Sequence, residues 1–185
     1  MNKRYYYELM VKKLDEISLL AKKPRLLLHS CCAPCNGYVT LFLSKYFDIT
    51  LYFNNSNIYP FKEYQRRLDE LKLFVINENL NIEIIENDYD ISYQKDLLKM
   101  KQFKEGQQRC FYCYQRRMSE AYDYADKYQF DYFTTVMTIS RQKDSIILNQ
   151  IGEKLAQNHS TPYFFSDFKK NDGMLKALEV SAKHQ

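Results

Sequence analysis

The sequence predicts an α/β protein: a parallel sheet with helices on both faces. Two observations carry this. Short apolar, β-rich runs alternate with amphipathic helical patterns along nearly the whole chain. Gly 4 and Pro 4 among 185 residues argue against disorder or a loop-dominated scaffold. No repeat, linker or low-complexity tract interrupts the pattern. Residues 1–185 therefore read as one domain, with an N-terminal helix over 1–22 and a core over 24–185.

The elements follow in order. Lys3 to Ala21 reads as an amphipathic helix with Tyr7, Met10, Leu14 and Ile17 on one face. Pro24 stops it, and Arg25 to Ser30 reads as a buried strand. Asn36 to Tyr46 is a helix and Phe47 to Phe53 a second strand, followed by the polar loop Asn54-Asn55-Ser56-Asn57. Pro60 suits the first turn of a helix in which Phe61, Tyr64, Leu68, Leu71 and Val75 share a face. Asn81 to Glu86 is a third strand. Ser92 to Lys101 and Cys110 to Tyr128 are helices. Asp131 to Thr138 is a fourth strand, and Asp144 to Gln157 a helix with Ile147, Leu148, Ile151 and Leu155 inward. Thr161 to Phe168 suggests a fifth strand and Gly173 to Lys183 a last helix. Alternation of this kind implies right-handed crossovers, with ligands at the carboxyl ends of the strands.

Composition bounds the function. Net charge is +4 with a pI near 8.6, which permits nucleic-acid binding without demanding it. The polar, tyrosine-rich start does not read as a secretory signal, and no apolar run reaches the ~20 residues a bilayer span needs. A cytoplasmic, reducing setting is expected. There, clustered cysteines point to metal or redox chemistry more than to structural disulfides.

The cysteines are the chemically informative residues. Cys31-Cys32-Ala33-Pro34-Cys35 follows the first strand, and Cys110-Phe111-Tyr112-Cys113 opens a later helix. Cysteines occupy the place where related sheets carry a glycine-rich phosphate loop, and neither Gly-x-x-x-x-Gly-Lys nor Gly-x-Gly-x-x-Gly occurs. Two Cys-x-x-Cys units suit a four-thiolate zinc or iron–sulfur site, and spacing alone leaves both open. Cys31 is a fifth thiol that a closed zinc knot does not explain. A thioredoxin-like dithiol and unrelated buried cysteines are further readings. A disulfide among these cysteines is one more expectation.

Basic and aromatic residues surround these groups. Arg117 lies four positions after Cys113 on the same helical face, and Arg116 pairs similarly with Arg109. Guanidinium groups there would stabilise thiolates or bind RNA phosphate, against the plainer reading of a solvated basic helix end. Lys101, Lys104, Phe103, Phe111, Tyr112 and Tyr114 interleave bases and aromatics nearby. His29 reads as a packed, hydrogen-bonded residue more than a ligand. Asp88 and Asp90 read as turn or cap residues more than as iron ligands. Tyr59, Arg66 and Arg67 flank the second crossover, and Ser140 and Lys143 follow the fourth strand.

Taken together, the chain resembles the cobalamin-independent epoxyqueuosine reductases of QueH type. The likeness rests on Leu28-His29-Ser30-Cys31-Cys32-Ala33-Pro34-Cys35, on Asn57-Ile58-Tyr59-Pro60 with Tyr64-Gln65-Arg66-Arg67-Leu68, and on Arg109-Cys110-Phe111-Tyr112-Cys113-Tyr114-Gln115-Arg116-Arg117. Phe130 to Thr135 with Ser140 and Lys143, and Tyr163 to Lys170, extend it. The resemblance implies a Rossmann-like fold of the nucleotide-hydrolase (HUP) type used by tRNA-modifying enzymes. It implies a [4Fe–4S] cluster and a nearby single iron that shares cluster cysteines. It implies reduction of epoxyqueuosine to queuosine in the tRNA anticodon loop, with electrons from an external donor.

By the same resemblance, Cys31, Cys32, Cys110 and Cys113 are cofactor ligands and all five cysteines, Cys35 included, are metal ligands. Cys32, Cys110 and Cys113 are assigned to the cluster, and Cys31 and Cys35 to the extra iron. Cys31, Cys35 and Arg109 are the expected catalytic residues. Tyr59, Arg66, Arg67, Arg116, Arg117, Ser140 and Lys143 are expected to meet substrate or tRNA. Another cluster-dependent tRNA-modifying enzyme of this fold, or a zinc-stabilised RNA-binding module, are the alternatives. Family members usually end in Tyr-Arg-Gln-x-Tyr-Cys-Gly-Cys soon after the last helix. This chain stops at Lys183-His184-Gln185, where that tail would begin.

Overall fold

A computed structural model describes residues 4–183; the expected helix start Lys3 and the terminal His184 and Gln185 lie outside the described residues. The elements run α1 (Tyr5–Ser18), β1 (Arg25–Ser30), α2 (Ala33–Leu43), β2 (Asp48–Phe53), α3 (Phe61–Asn77), β3 (Glu83–Glu86), α4 (Ser92–Lys99), α5 (Gln108–Lys127), β4 (Tyr132–Thr135), α6 (Ser145–Ala156) and α7 (Gly173–Ala182). The strands form one parallel sheet in the order β3-β2-β1-β4.

Side-chain alternation on β1 builds a layer on each face of that sheet. Leu26 and Leu28 point into a core with Met10, Leu14 and Ile17 of α1, Val39 and Leu43 of α2, Leu68 and Leu71 of α3 and Ala177 of α7. Leu27 points the other way, to Met118, Ala121, Tyr122 and Ala125 of α5 and Leu148 of α6. Helices therefore cover both faces, as expected.

The strand order makes β1 the switch point. The chain leaves β1 toward β2 and β3, then returns to add β4 on its other side. Crevices at such points, beyond the carboxyl ends of the strands, are where open parallel sheets bind ligands. Cys31 and Cys32 follow β1 directly.

Several boundaries differ from expectation, among them the end of α1, at Ser18 and not Ala21, and the end of α2, at Leu43 and not Tyr46; three have a clear physical reason. Helix α2 begins three residues early, at Ala33. Cys32 takes an extended backbone as its N-cap, and Pro34 in the first turn needs no donor there. Strand β4 stops at Thr135, not Thr138. The Thr135 hydroxyl accepts from the Met137 amide and starts a 3-10 turn over Val136–Ile139. The expected fifth strand is a single parallel bridge, Phe133 to Tyr163. Beyond it, the Phe164 carbonyl accepts from Thr134 Oγ1 and the Ser166 amide donates to Asn149 Oδ1, so side chains replace a strand partner. On α1 it is Tyr6 that is buried with Met10, Leu14 and Ile17, while Tyr7 is half-buried.

Candidate metal centre

The loop after β1 brings three thiols together. The Sγ atoms of Cys31, Cys32 and Cys35 all lie within 4.8 Å of one another. Extended backbone at Cys32 folds its sulfur toward that of Cys31, and the first turn of α2 returns Cys35 to the same point. Cys31 is buried and the other two are half-buried. The hydrogen bonds among the three thiols act in opposite directions, raising and lowering each, and burial with the crowding of neighbouring thiols leaves each pushed up to about 12. Three crowded thiols resist ionising together unless a cation shares their charge.

Helix α5 supplies the other pair. Cys110 sits in its first turn, where the amide of Gly106 donates to Cys110 Sγ at 3.3 Å. Gly106 has φ +80°, a left-handed backbone that glycine adopts without a Cβ clash. Cys113 lies one turn on, and its carbonyl accepts from the buried Tyr93 hydroxyl at 2.9 Å. All five cysteines line one cavity of about 480 Å³. The close group is Cys31, Cys32 and Cys35; Cys110 and Cys113 join from α5 without entering that triad. The five thiols are free, so the disulfide expected from the sequence is not formed.

Charge on the cavity wall is predominantly positive: Arg67, Lys101, Arg109, Arg117 and Lys143 face Glu105. Arg117 is 3% exposed. Its guanidinium donates to Asn55 Oδ1 and, at 3.6 Å, to Met137 Sδ. Burial works against its charge, but the thiol groups of Cys113 and Cys31 outweigh that and raise its pKa. Lys143 reaches Ser140 Oγ at 3.4 Å.

Several residues named from the sequence take other positions. Arg116 does not pair with Arg109. It is caged by Asp90, Asp96 and Glu120 and stacks over Tyr93 at 4.3 Å. Arg66 pairs with Glu63 and Glu70 and borders a separate groove beside Leu73 and Val180. Tyr59 is 70% exposed. Tyr59, Arg66, Arg116 and Ser140 are not among the described residues that line the thiol cavity, whereas Arg67, Arg109, Arg117 and Lys143 are. Two plain readings hold. His29 is buried and bonds Thr135 Oγ1 through Nδ1, and its pKa is lowered, chiefly by burial and then by Arg117. Asp90 accepts from the Ser92 amide in the turn that leads into α4, whose N-cap is Ile91.

Sequence reasoning passed over Asn54 and Asn55. Asn54 Nδ2 donates to the Arg117 carbonyl, and Asn55 Nδ2 donates to the Ser30 carbonyl beside Cys31. The available signal was position. A polar run directly after β2 lies at the same sheet edge as the cysteine loop after β1.

Fold and site together define a doubly wound α/β protein with a thiol-rich crevice, able to hold a soft metal, at its switch point. The model of the family described as "Epoxyqueuosine reductase QueH" matches residues 26–185. The chain is 35% identical to the epoxyqueuosine reductase QueH of Staphylococcus aureus, over 97% of this chain and 78% of that protein. It is 32% identical to the protein of that name from Streptococcus pyogenes, over 99% and 74%. Among solved structures it resembles the U34-tRNA thiolase NcsA of Methanococcus maripaludis with its [4Fe-4S] cluster. The TM-score is 0.55 at 9% identity, covering 97% of this chain and 65% of that one, a likeness of fold. The chain belongs to the epoxyqueuosine reductase QueH family and is an oxidoreductase of that family.

Proposed function

We propose that this chain reduces epoxyqueuosine to queuosine within tRNA, using an iron–sulfur cluster and an adjacent iron held by its five cysteines. One observation carries the reading: cysteines from two distant parts of the chain line a single cavity. The donor set fits the cofactors. Thiolates are the ordinary ligands of iron–sulfur clusters, and five of them exceed what one closed tetrahedral ion uses. Cys32, Cys110 and Cys113 would hold the cluster; Cys31 and Cys35 would hold the extra iron. Bound there, the cofactors would pass electrons singly from an external donor and supply a Lewis acid for the epoxide oxygen.

The chain's own residues bind and orient. Removing an epoxide oxygen as water requires two electrons and two protons, so the reacting group must be held beside the thiols with controlled access to solvent. The cavity of about 480 Å³ has room for a nucleoside side group. Lys101, Arg109 and Lys143 on its wall are the cations we assign to tRNA phosphate, with Arg67 at the wall contributed by α3. Arg109, adjacent to Cys110, is the one nearest the chemistry in sequence. Tyr59, exposed on the loop before α3, is available to stack on a base. The test is direct. Anaerobically reconstituted protein, a chemical reductant and tRNA carrying epoxyqueuosine should yield queuosine by nucleoside mass spectrometry. No conversion, with cluster and tRNA both bound, would overturn the reading.

A further inference from the structure

Arg117 is a cation with no ordinary reason to be buried. It is 3% exposed, and no carboxylate among the described residues forms an ion pair with it. Its guanidinium bonds are to an amide oxygen, Asn55 Oδ1, and a thioether, Met137 Sδ. The Nε atom is buried without a partner. A buried charge so weakly met carries a large desolvation penalty unless anions lie near it. Glu105 lies on the same cavity wall but forms no ion pair with Arg117; the other acidic groups there are thiols, with Cys113 one helical turn before Arg117 and Cys31 across the same cavity.

Its anchoring explains how it reaches both cysteine groups. Asn54 and Asn55 grip Arg117 from two sides. Asn54 Nδ2 donates to the Arg117 carbonyl at 2.9 Å, and Asn55 Oδ1 accepts from the guanidinium. Asn55 Nδ2 donates in turn to the Ser30 carbonyl at 3.0 Å, one residue before Cys31. A continuous hydrogen-bonded path thus runs from the backbone of the β1 cysteine loop, through Asn55, to the α5 helix that carries Cys110 and Cys113. Burial also keeps the guanidinium from a phosphate that stays in solvent.

We propose that Arg117 is a positioning residue. It is a buried, fixed counter-cation that ties the two cysteine groups into one site and compensates their thiolate charge, not a contact for RNA. This rests on the reading that the cysteines hold an iron–sulfur centre. It adds a distinct expectation. A fixed positive charge beside the centre favours the form that carries one more electron, so removing it should drive the midpoint potential negative.

Arg117→Gln, Arg117→Lys and Asn55→Asp are compared with the unaltered chain after anaerobic reconstitution. The readouts are iron and sulfide content, iron loss to a chelator, midpoint potential, far-ultraviolet circular dichroism and tRNA affinity. Arg117→Gln should lose iron several-fold faster and shift the potential negative. Arg117→Lys should restore the potential. Asn55→Asp keeps an acceptor for the arginine but neutralises it with a carboxylate and removes the donor to the Ser30 carbonyl, so it should shift the potential negative and speed iron loss in a folded protein. That variant decides the matter if Arg117→Gln does not fold. Unchanged iron retention and potential in Arg117→Gln and Asn55→Asp would overturn the proposal, as would loss of tRNA affinity as the sole effect. Failure of the unaltered chain to take up iron and sulfide would overturn the parent reading, and this inference with it.

Discussion

The sulfurs of Cys31 and Cys32, neighbours in sequence, stand 3.8 Å apart at the carboxyl end of the central strand. Adjacent residues on a regular strand point to opposite faces. The pair converges because β1 ends at Ser30 and Cys32 already caps α2. A fifth thiol is thereby added to what would otherwise be two ordinary Cys-x-x-Cys pairs.

Substitution of single cysteines separates the roles proposed for them. Cys110→Ser or Cys113→Ser should lose most of the sulfide and the visible absorbance, because each would remove a proposed cluster ligand. Cys35→Ser should retain sulfide but bind about one iron fewer per chain, with activity reduced at least about tenfold. Metal and sulfide analysis on anaerobic protein reads this. Full iron and activity in Cys35→Ser would remove that residue from the site.

Lys101 and Lys143 test the wall charge. Lys101→Glu and Lys143→Glu should each weaken tRNA binding. Each should also flatten the dependence of log affinity on log salt, by about 0.7–0.9 for every phosphate no longer neutralised. Binding measured across a salt series checks it. An unchanged slope in both would move the RNA to another face.

Arg116 is expected to act on stability. Its side chain is 22% exposed and its guanidinium meets Asp90, Asp96 and Glu120. Arg116→Ala leaves those carboxylates facing one another and should cost about 1–2 kcal/mol in urea unfolding. Its effect on tRNA affinity should stay within about twofold, below the ~1 kcal/mol expected when a hydrogen bond to phosphate is removed.

A pH effect comes from His159, far from the thiols. Its Nδ1 bonds the Leu155 carbonyl and its Nε2 meets Asp123 at 2.8 Å. Burial of the ring works against its charge, but these two partners outweigh that and raise its pKa. A folded-state value above the unfolded ~6.5 gives stability that is complete below that pH. It is lost as pH rises through the folded value. The loss should be small, under ~1 kcal/mol, because Asp123 is largely solvated. Denaturation at pH 6 and pH 8 should show it in the unaltered chain and show a flatter response in His159→Gln.

Much of the fold was legible in the sequence, for physical reasons. Strands β1 and β2 announce themselves as apolar runs, and Pro60 marks the start of α3, whereas α1 ends at Ser18, before Pro24 could stop it. The cysteines identify themselves by type and spacing. Less legible was anything decided by tertiary hydrogen bonds. Thr135 ends β4 by capping a turn, and Thr134 and Asn149 take the backbone groups that a fifth strand would have used. Arg116 and Arg117 are adjacent and chemically identical, yet one sits in a carboxylate cage and the other is buried beside thiols. Helical phase placed Arg117 with the cysteines. Only the fold brings Asp90 and Asp96 to Arg116, and Asn55 to Arg117.

Five cysteines from two parts of the chain are proposed to hold an iron–sulfur centre. The most direct measurement is iron, sulfide and zinc content, taken together with the visible spectrum, on protein purified and reconstituted without oxygen. The expected result is about four sulfides and four to five irons per chain, with broad brown absorbance. One tightly held zinc, with no sulfide retained, would contradict it.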